Sequence, residues 1–325
     1  MILTQTPYRV SLFGGGTDYP AWFNENGGHV LGMAINKYCY VAMNRLVPLF
    51  DFKYRLIYQK VEDRNSIEEI EHPAIKGVLQ HFKNDERLEI RCLGDLPART
   101  GLGASSSFVV GLTHAMHEFN GFIPPAERLT DDAIHIEQNV INEAVGCQDQ
   151  TFAAHGGVLF VSFNEERKVE RLTVSKARLE ELESSLVMVY TGNMRSAHPM
   201  AEKQIQAVPQ NTSYLSTMSD LAWRGRTILV NEGIRLSEIG YLLNEMWQLK
   251  RKLCEGVTSP EIDALYQRGM DCGAIGGKLL GAGGGGFVLF FVHPNKRAEF
   301  ERNIGSICID FKISDTGSRL LLNNP

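Results

Sequence analysis

A chain of 325 residues, 43% hydrophobic and 22% charged, has the apolar content for a buried core and the length for two domains of about 150 residues each. Its net charge of −5, with Lys250-Arg251-Lys252 as the one basic tract, makes nucleic acid a poor partner, and its longest clear apolar run, residues 287–292, is far short of the ~20 residues of a membrane helix. The six cysteines form no CxxC pair and the opening MILTQTPYRV lacks the basic and apolar regions of an export signal, which together argue for reduced thiols in a cytoplasm and against a zinc site.

Residues 1–13 read as a strand, with Tyr8, Val10 and Leu12 on one face and Arg9, Ser11 and Phe13 on the other. The glycine-rich stretch Gly14-Gly15-Gly16-Thr17-Asp18 then turns the chain. An Arg on a strand that runs into such a turn suggests a polar site, although an edge-strand Arg is ordinarily just solvated. Residues 29–44 alternate as a second strand, 48–63 read as a hairpin that could form part of an adenine pocket, and 66–82 carry the helix-like spacing Ile67, Ile70, Ile75, Val78, Leu79, Phe82.

Residues 88–119 organise the rest. Leu88, Ile90 and Cys92 alternate with Glu89 and Arg91 as in a strand, while Phe108, Val109, Leu112, Met116 and Phe119 recur at helical spacing. Between them lies Gly101-Leu102-Gly103-Ala104-Ser105-Ser106-Ser107. The glycines let backbone approach a ligand, three hydroxyls follow, and free N–H groups at the helix start point into the same space, so the loop is an anion site with phosphate as its obvious guest. It lacks the Lys of GxxxxGK[ST] and the third Gly of GxGxxG. A Gly-Ser helix entry with no ligand is the plain alternative for the loop taken alone.

The next helix spans 124–146, with Leu129, Ala133, Ile136, Val140 and Ala144 as its apolar stripe. At ~100° per residue, Glu137 lies only about 40° from the centre of that stripe. A carboxylate placed there needs a cation, either an Arg or Lys from elsewhere or a metal. Asp149 follows in Gly146-Cys147-Gln148-Asp149-Gln150, where it reads either as a cap for residues 150–154 or as a functional acid. Strands return over 156–174, a change of domain falls near residue 180, and a new strand at 184–190 leads into Thr191-Gly192-Asn193-Met194-Arg195-Ser196-Ala197-His198. Helices follow at 215–230, 236–253 and 259–270, the last with Ser259 as cap and Pro260 at its first position. Five glycines among residues 281–286 sit between strand-like segments and read as a tight turn, and a last strand at 307–313 closes the second domain.

Three of these stretches carry a resemblance. Residues 97–107 resemble the phosphate loop PxxxGLGSSAA of the GHMP small-molecule kinases, with Ala104 in place of the usual first Ser; PYRVSLFGGGTDYP resembles their first motif, PGRVNLIGEHTDY in galactokinases; and GGKLLGAGGGGFVLFF resembles their third. The context of Asp149 is similar to the GIMDQ of galactokinases. The resemblance implies an α+β, two-domain fold: an N-terminal domain like domain 2 of ribosomal protein S5 over residues 1–180, and a ferredoxin-like C-terminal domain over 181–325, with the site between them. It implies ATP as co-substrate, bound by Pro97, Gly101, Leu102, Gly103, Ala104, Ser105, Ser106 and Ser107, and Mg²⁺ held by Ser105 and Glu137. Asp149 is then the catalytic base, with Arg9 beside it, and the acceptor is met by Gly15, Gly16, Thr17, Asp18, Gly283 and Gly284. Within the superfamily the three stretches, with YTGNMRSAH, most resemble sugar-1-kinases acting on D-glycero-D-manno-heptose 7-phosphate. On that reading Arg195 and Ser196, ahead of a helix start, meet the sugar's phosphate. Kinases for fucose, galactose or mevalonate, and a non-catalytic sugar sensor, stay open.

Overall fold

The structure is a computed structural model that describes residues 1–194 and 198–324. Its frame is a long antiparallel pair, β1 (Ile2–Phe13) and β2 (Gly28–Arg45), joined by the glycine turn and the short helix Pro20–Asn26. The hairpin of β3 (Tyr54–Ile57) and β4 (Val61–Arg64) lies outside β5 (Leu88–Gly94), which β3 joins in parallel. With 18 residues, β2 is long enough for two partners along its other edge: β5 takes its second half, and β6 (Val158–Phe163), extended by β7 (Arg167–Arg171), takes its first. Between β5 and β6 the chain makes the helices Ala104–Phe119, Ala126–His135 and Gln148–His155, which cover one face of this sheet.

The second sheet contains β8 (Leu186–Tyr190), β9 (Ala274–Leu279), β10 (Phe287–Val292) and β11 (Cys308–Ile309) in the antiparallel order β11-β8-β10-β9. Helices separate β8 from β9, a turn joins β9 to β10, and the helix Arg297–Asn303 separates β10 from β11. First and third strands are therefore central, which is the ferredoxin-like βαββαβ arrangement. The unbroken apolar run of β10 is explained by burial on both faces. Phe287, Leu289 and Phe291 join the large core that reaches into the first sheet, whereas Val288, Phe290 and Val292 pack with Val187, Val189, Trp247 and Phe300 in a second core. Each such side chain contributes roughly 1.5–3 kcal/mol.

Three boundaries differ from the sequence reading. The helix expected over 66–82 begins only at Pro73, where the His72 ring accepts the Ile75 N–H. The helix expected to reach Gly146 widens into a single π-helical turn, Ile136–Val140, and stops; Asn142 is then left-handed, at φ 53°. Of residues 307–313 only Cys308 and Ile309 are paired as a strand, and the chain then crosses to the first sheet, where β12 (Arg319–Asn323) lies antiparallel to β1. The helix Thr212–Val230 also packs on β1 and β2, so a division near residue 180 separates β7 from β8 while two later elements return to the first sheet.

Candidate functional site

The helix Ala104–Phe119 starts on Gly103, which is left-handed at φ 72° and offers no side-chain cap. Its first-turn amides are thus free to meet a ligand, and Gly101, Gly103, Ala104, Ser105 and Ser106 line a cavity of about 960 Å³ between the two sheets' domains. Pro97 lines it as well. Leu102 and Ser107 do not: Leu102 is buried and its carbonyl accepts the Arg9 N–H (3.0 Å), while the Ser107 hydroxyl donates to Pro7 O (2.8 Å). Their expected ligand role is corrected to anchoring the loop on β1, because the Leu102 side chain, ahead of the helix, lies in the core and the Ser107 hydroxyl is spent on Pro7.

The glycine turn between β9 and β10 backs this loop. A Cβ on Gly281 would lie 2.5 Å from the Gly101 Cα, so the two loops touch backbone to backbone. Gly283 and Gly284, expected to meet the acceptor, are instead turned toward Val257, whose carbonyl accepts the Gly284 N–H (2.9 Å); Gly281 and Ala282 are the residues of this turn that line the cavity.

Arg9 and Asp149 are brought together from β1 and from the first turn of Gln148–His155. Arg9 Nε donates to Asp149 Oδ1 and Nη2 to Oδ2, both at 2.7 Å, and Nη1 donates to Gly101 O at 2.7 Å. This bidentate pair ties the acid to the phosphate loop. The capping alternative for Asp149 fails, since Cys147 holds the cap position and the carboxylate is spent on Arg9. With its side chain 24% exposed, Asp149 still presents lone pairs to the cavity.

Glu137 is fully buried behind Ser106, in the π-helical turn. Its carboxyl accepts from Ser106 Oγ (3.0 Å) and from Gln150 Nε2. The hydroxyl on Glu137 is therefore that of Ser106, one residue beyond Ser105, which is exposed on the cavity wall. No Arg or Lys reaches Glu137 among the described residues, and burial pushes its carboxyl up from 4.5 to about 8. An acid whose folded value is raised supplies stability below its unfolded value that is lost as pH climbs through the folded one. Between pH 5 and 8.5 the metal-free protein is accordingly expected to lose melting temperature relative to Glu137→Gln, by several degrees; a gap that stays constant with pH rules out a neutral Glu137.

Asp18 is buried at the cavity's other end and takes three donors: Gly16 N–H (3.0 Å), Gln148 N–H (3.2 Å) and Gln148 Nε2 (3.0 Å). Gly15 and Gly16 line the cavity beside it, whereas the Thr17 hydroxyl is consumed by Gly14 O (2.8 Å) and His29 O (3.1 Å) and does not, which corrects its expected contact with the acceptor. A Cβ on Gly146 would sit 1.8 Å from Asp18 Oδ2. Gly146→Ala should therefore push Asp18 and Gln148 aside, raising the acceptor KM by about tenfold or more, since displaced buried polar groups cost ~1–3 kcal/mol each, with much less effect on ATP; equal losses for both substrates would contradict this division of the cavity. Arg195 and Ser196 lie outside the described residues.

Models of two domain families match this chain: GHMP kinases N terminal domain over residues 70–157 and GHMP kinases C terminal over 230–310, more than half of the chain together. The chain belongs to the GHMP kinases. A D-glycero-alpha-D-manno-heptose 7-phosphate kinase of Campylobacter jejuni is 29% identical over 91% of either chain. A bifunctional fucokinase/GDP-fucose pyrophosphorylase of Arabidopsis thaliana is 26% identical over 91% of this chain and 30% of its own length. The crystal structure of a D-glycero-D-manno-heptose 1-phosphate kinase of Bacteroides thetaiotaomicron shares the fold over the whole of both chains, with a TM-score of 0.74 at 24% identity. The GHMP kinase described here is a sugar kinase, a phosphotransferase with an alcohol group as acceptor.

Two residues of this GHMP kinase escaped the sequence reading. Lys250 closes the helix Glu238–Lys250 and Lys278 lies in β9; both are buried against the cavity. Lys250 Nζ donates to Leu279 O (2.9 Å) and to Gly281 O, and Lys278 Nζ to Ser11 O (2.9 Å) and Leu12 O (3.0 Å). Burial, with Arg9 nearby, pushes Lys250 down to about 7, and burial with Lys250 and Arg9 nearby holds Lys278 well below the usual lysine range. At the opposite end Tyr58, His72 and Phe108 form an aromatic wall, with ring centroids 4.7 Å and 5.4 Å apart along the series. Tyr58 follows β3, so the hairpin expected over 48–63 is present and reaches the cavity.

Proposed function

We propose that this kinase transfers the γ-phosphoryl group of ATP to the anomeric hydroxyl of a sugar phosphate, D-glycero-D-manno-heptose 7-phosphate, giving the 1,7-bisphosphate. The observation that carries the reading is the Arg9–Asp149 pair, bonded through Arg9 to Gly101 at an uncapped helix start. The amides of residues 104–106 receive the nucleotide's phosphates, and the Tyr58, His72 and Phe108 wall takes the base. Asp149 accepts the proton of the anomeric hydroxyl, which is more acidic than an ordinary alcohol, while Arg9 fixes the carboxylate's orientation.

The donor set around Glu137 fits Mg²⁺. Among the described residues no three His, Cys, Asp or Glu side chains converge as a metal cluster, but Mg²⁺ takes one or two carboxylates and completes its shell with phosphate oxygens and water. Glu137 supplies a carboxylate that has only neutral partners, and the Ser105 and Ser106 hydroxyls stand between it and the cavity. When bound, the ion supplies neutralisation of the charge on the phosphoryl group in transfer.

The choice of acceptor follows the Campylobacter relative, which covers the chain almost end to end. It is tested by measuring ADP release over heptoses, fucose, galactose and mevalonate, the sugars with and without a terminal phosphate. Turnover should be greatest with the heptose 7-phosphate and should place the new phosphate at C1. Greater turnover with an unphosphorylated sugar or with mevalonate rejects this acceptor, and ADP release with none of them rejects the function.

A further inference from the structure

Three basic side chains converge on the cavity wall where the second domain meets β1: Arg9, Lys250 and Lys278. Arg9 is matched by Asp149. The two lysines are matched by nothing charged among the described residues: each is at least 95% buried, and each spends two donors on backbone carbonyls. An ammonium has three N–H groups, so each lysine, once protonated, has one left for a guest in the cavity. Burial and the repulsion among these groups favour the uncharged amines while the cavity is empty, and holding loops in place explains the carbonyl bonds but not the absence of a counter-ion, which an anionic guest would supply.

A second observation lies on the same wall. Ser11 Oγ and Gln148 Oε1 are buried with no hydrogen-bond partner among the described residues, and both residues line the cavity. They converge around Gly15, whose Cβ, if present, would lie 3.5 Å from Ser11 Oγ and 3.9 Å from Gln148 Oε1. The Ser11 residue that offers this hydroxyl also gives its carbonyl to Lys278. Unpaired oxygens beside unpaired lysines describe a guest with both hydroxyls and a negative charge.

We propose that Lys250 and Lys278 form the seat of the acceptor's own anionic group, a phosphate monoester, with the acceptor's hydroxyls on Ser11 and Gln148. The assignment rests on the phosphorylated-sugar reading above and gives its selectivity a structural source. The lysines reach the acceptor from the second domain's side of the cavity, Lys278 already being bonded to β1. An uncharged acceptor leaves both lysines bare.

Two measurements test this. In kinetics on wild type, Lys250→Met and Lys278→Met, the preference for phosphorylated over dephosphorylated heptose, taken as a ratio of kcat/KM, should fall by about tenfold to a hundredfold in each variant. A preference retained in both variants overturns the seat while leaving the sugar-phosphate kinase intact; a wild type with no preference overturns the acceptor reading instead. A raised KM for ATP with the preference kept moves the lysines to the nucleotide and also overturns the proposal. The second measurement needs no variant: calorimetry of acceptor binding to wild type at pH 8, in two buffers of different ionisation heat. A phosphate monoester is already a dianion there, so protons taken up go to the protein, and uptake should be greater with the phosphorylated than with the dephosphorylated heptose. Uptake equal to that with the dephosphorylated sugar, or none, counts against the proposal.

Discussion

Asp149→Asn should lower kcat by roughly 10²–10⁴-fold, the usual contribution of a positioned base, while nucleotide still binds. The amide keeps the shape of the carboxylate but offers Arg9 one acceptor instead of two, and its nitrogen would face a guanidinium N–H. Some of the loss could then come from a displaced Arg9. Asp149→Ala separates the two effects, since it removes the base without presenting a donor to Arg9. If both variants turn over within about threefold of wild type at saturating substrates, Asp149 is not the base. Nucleotide binding, followed by the shift it causes in melting temperature, should survive in both.

Glu137→Gln should raise the Mg²⁺ concentration needed for half-maximal rate by at least about tenfold, a loss of the size seen when even indirect supports of a metal are removed. The sugar KM should move far less. Ser105→Ala should shift the Mg²⁺ requirement in the same direction, and a Ser106→Ala effect exceeding it would assign the metal-bound hydroxyl to Ser106, the one that already touches Glu137. An unchanged Mg²⁺ dependence in Glu137→Gln would remove the carboxylate from the metal site altogether.

What the sequence disclosed of this site is what local pattern can carry. Gly101, Gly103 and the serines announce an open helix start because the conformation and the free amides belong to the same few residues. The helical phase of Glu137 foretold its burial, since the stripe and the carboxylate share one helix. Its partner did not follow from that phase: a neutral amide and a hydroxyl arrive from Gln150 and Ser106, neither fixed by the helix that carries Glu137. Lys250 and Lys278 were illegible for a stronger reason. Their burial exists only once the second sheet is laid against β1, and a lysine at the end of a helix looks the same in sequence whether solvent or another domain lies beyond it. The corrections at Thr17, Leu102 and Ser107 share a cause, because a motif names adjacent residues while the backbone turns alternate ones away from the ligand.

The pairing of β12 with β1 bears on how this enzyme comes into being. Arg9 sits on β1, whose outer edge pairs over Ile2–Gln5 with residues 319–323, while the Arg9 N–H is taken by Leu102 O. At ribosomal speeds of ~5–20 residues per second, some 300 residues of synthesis intervene, so that edge waits roughly 15–60 s for its partner. An unpaired strand is a template for other strands, and this one also carries the group that fixes Asp149. The first sheet can collapse early, but its ladder along Ile2–Gln5 closes only when residues 319–323 have left the ribosome. Replacing residues 319–323 by glycine should thus harm the yield of soluble enzyme during synthesis more than the activity of the molecules that do fold.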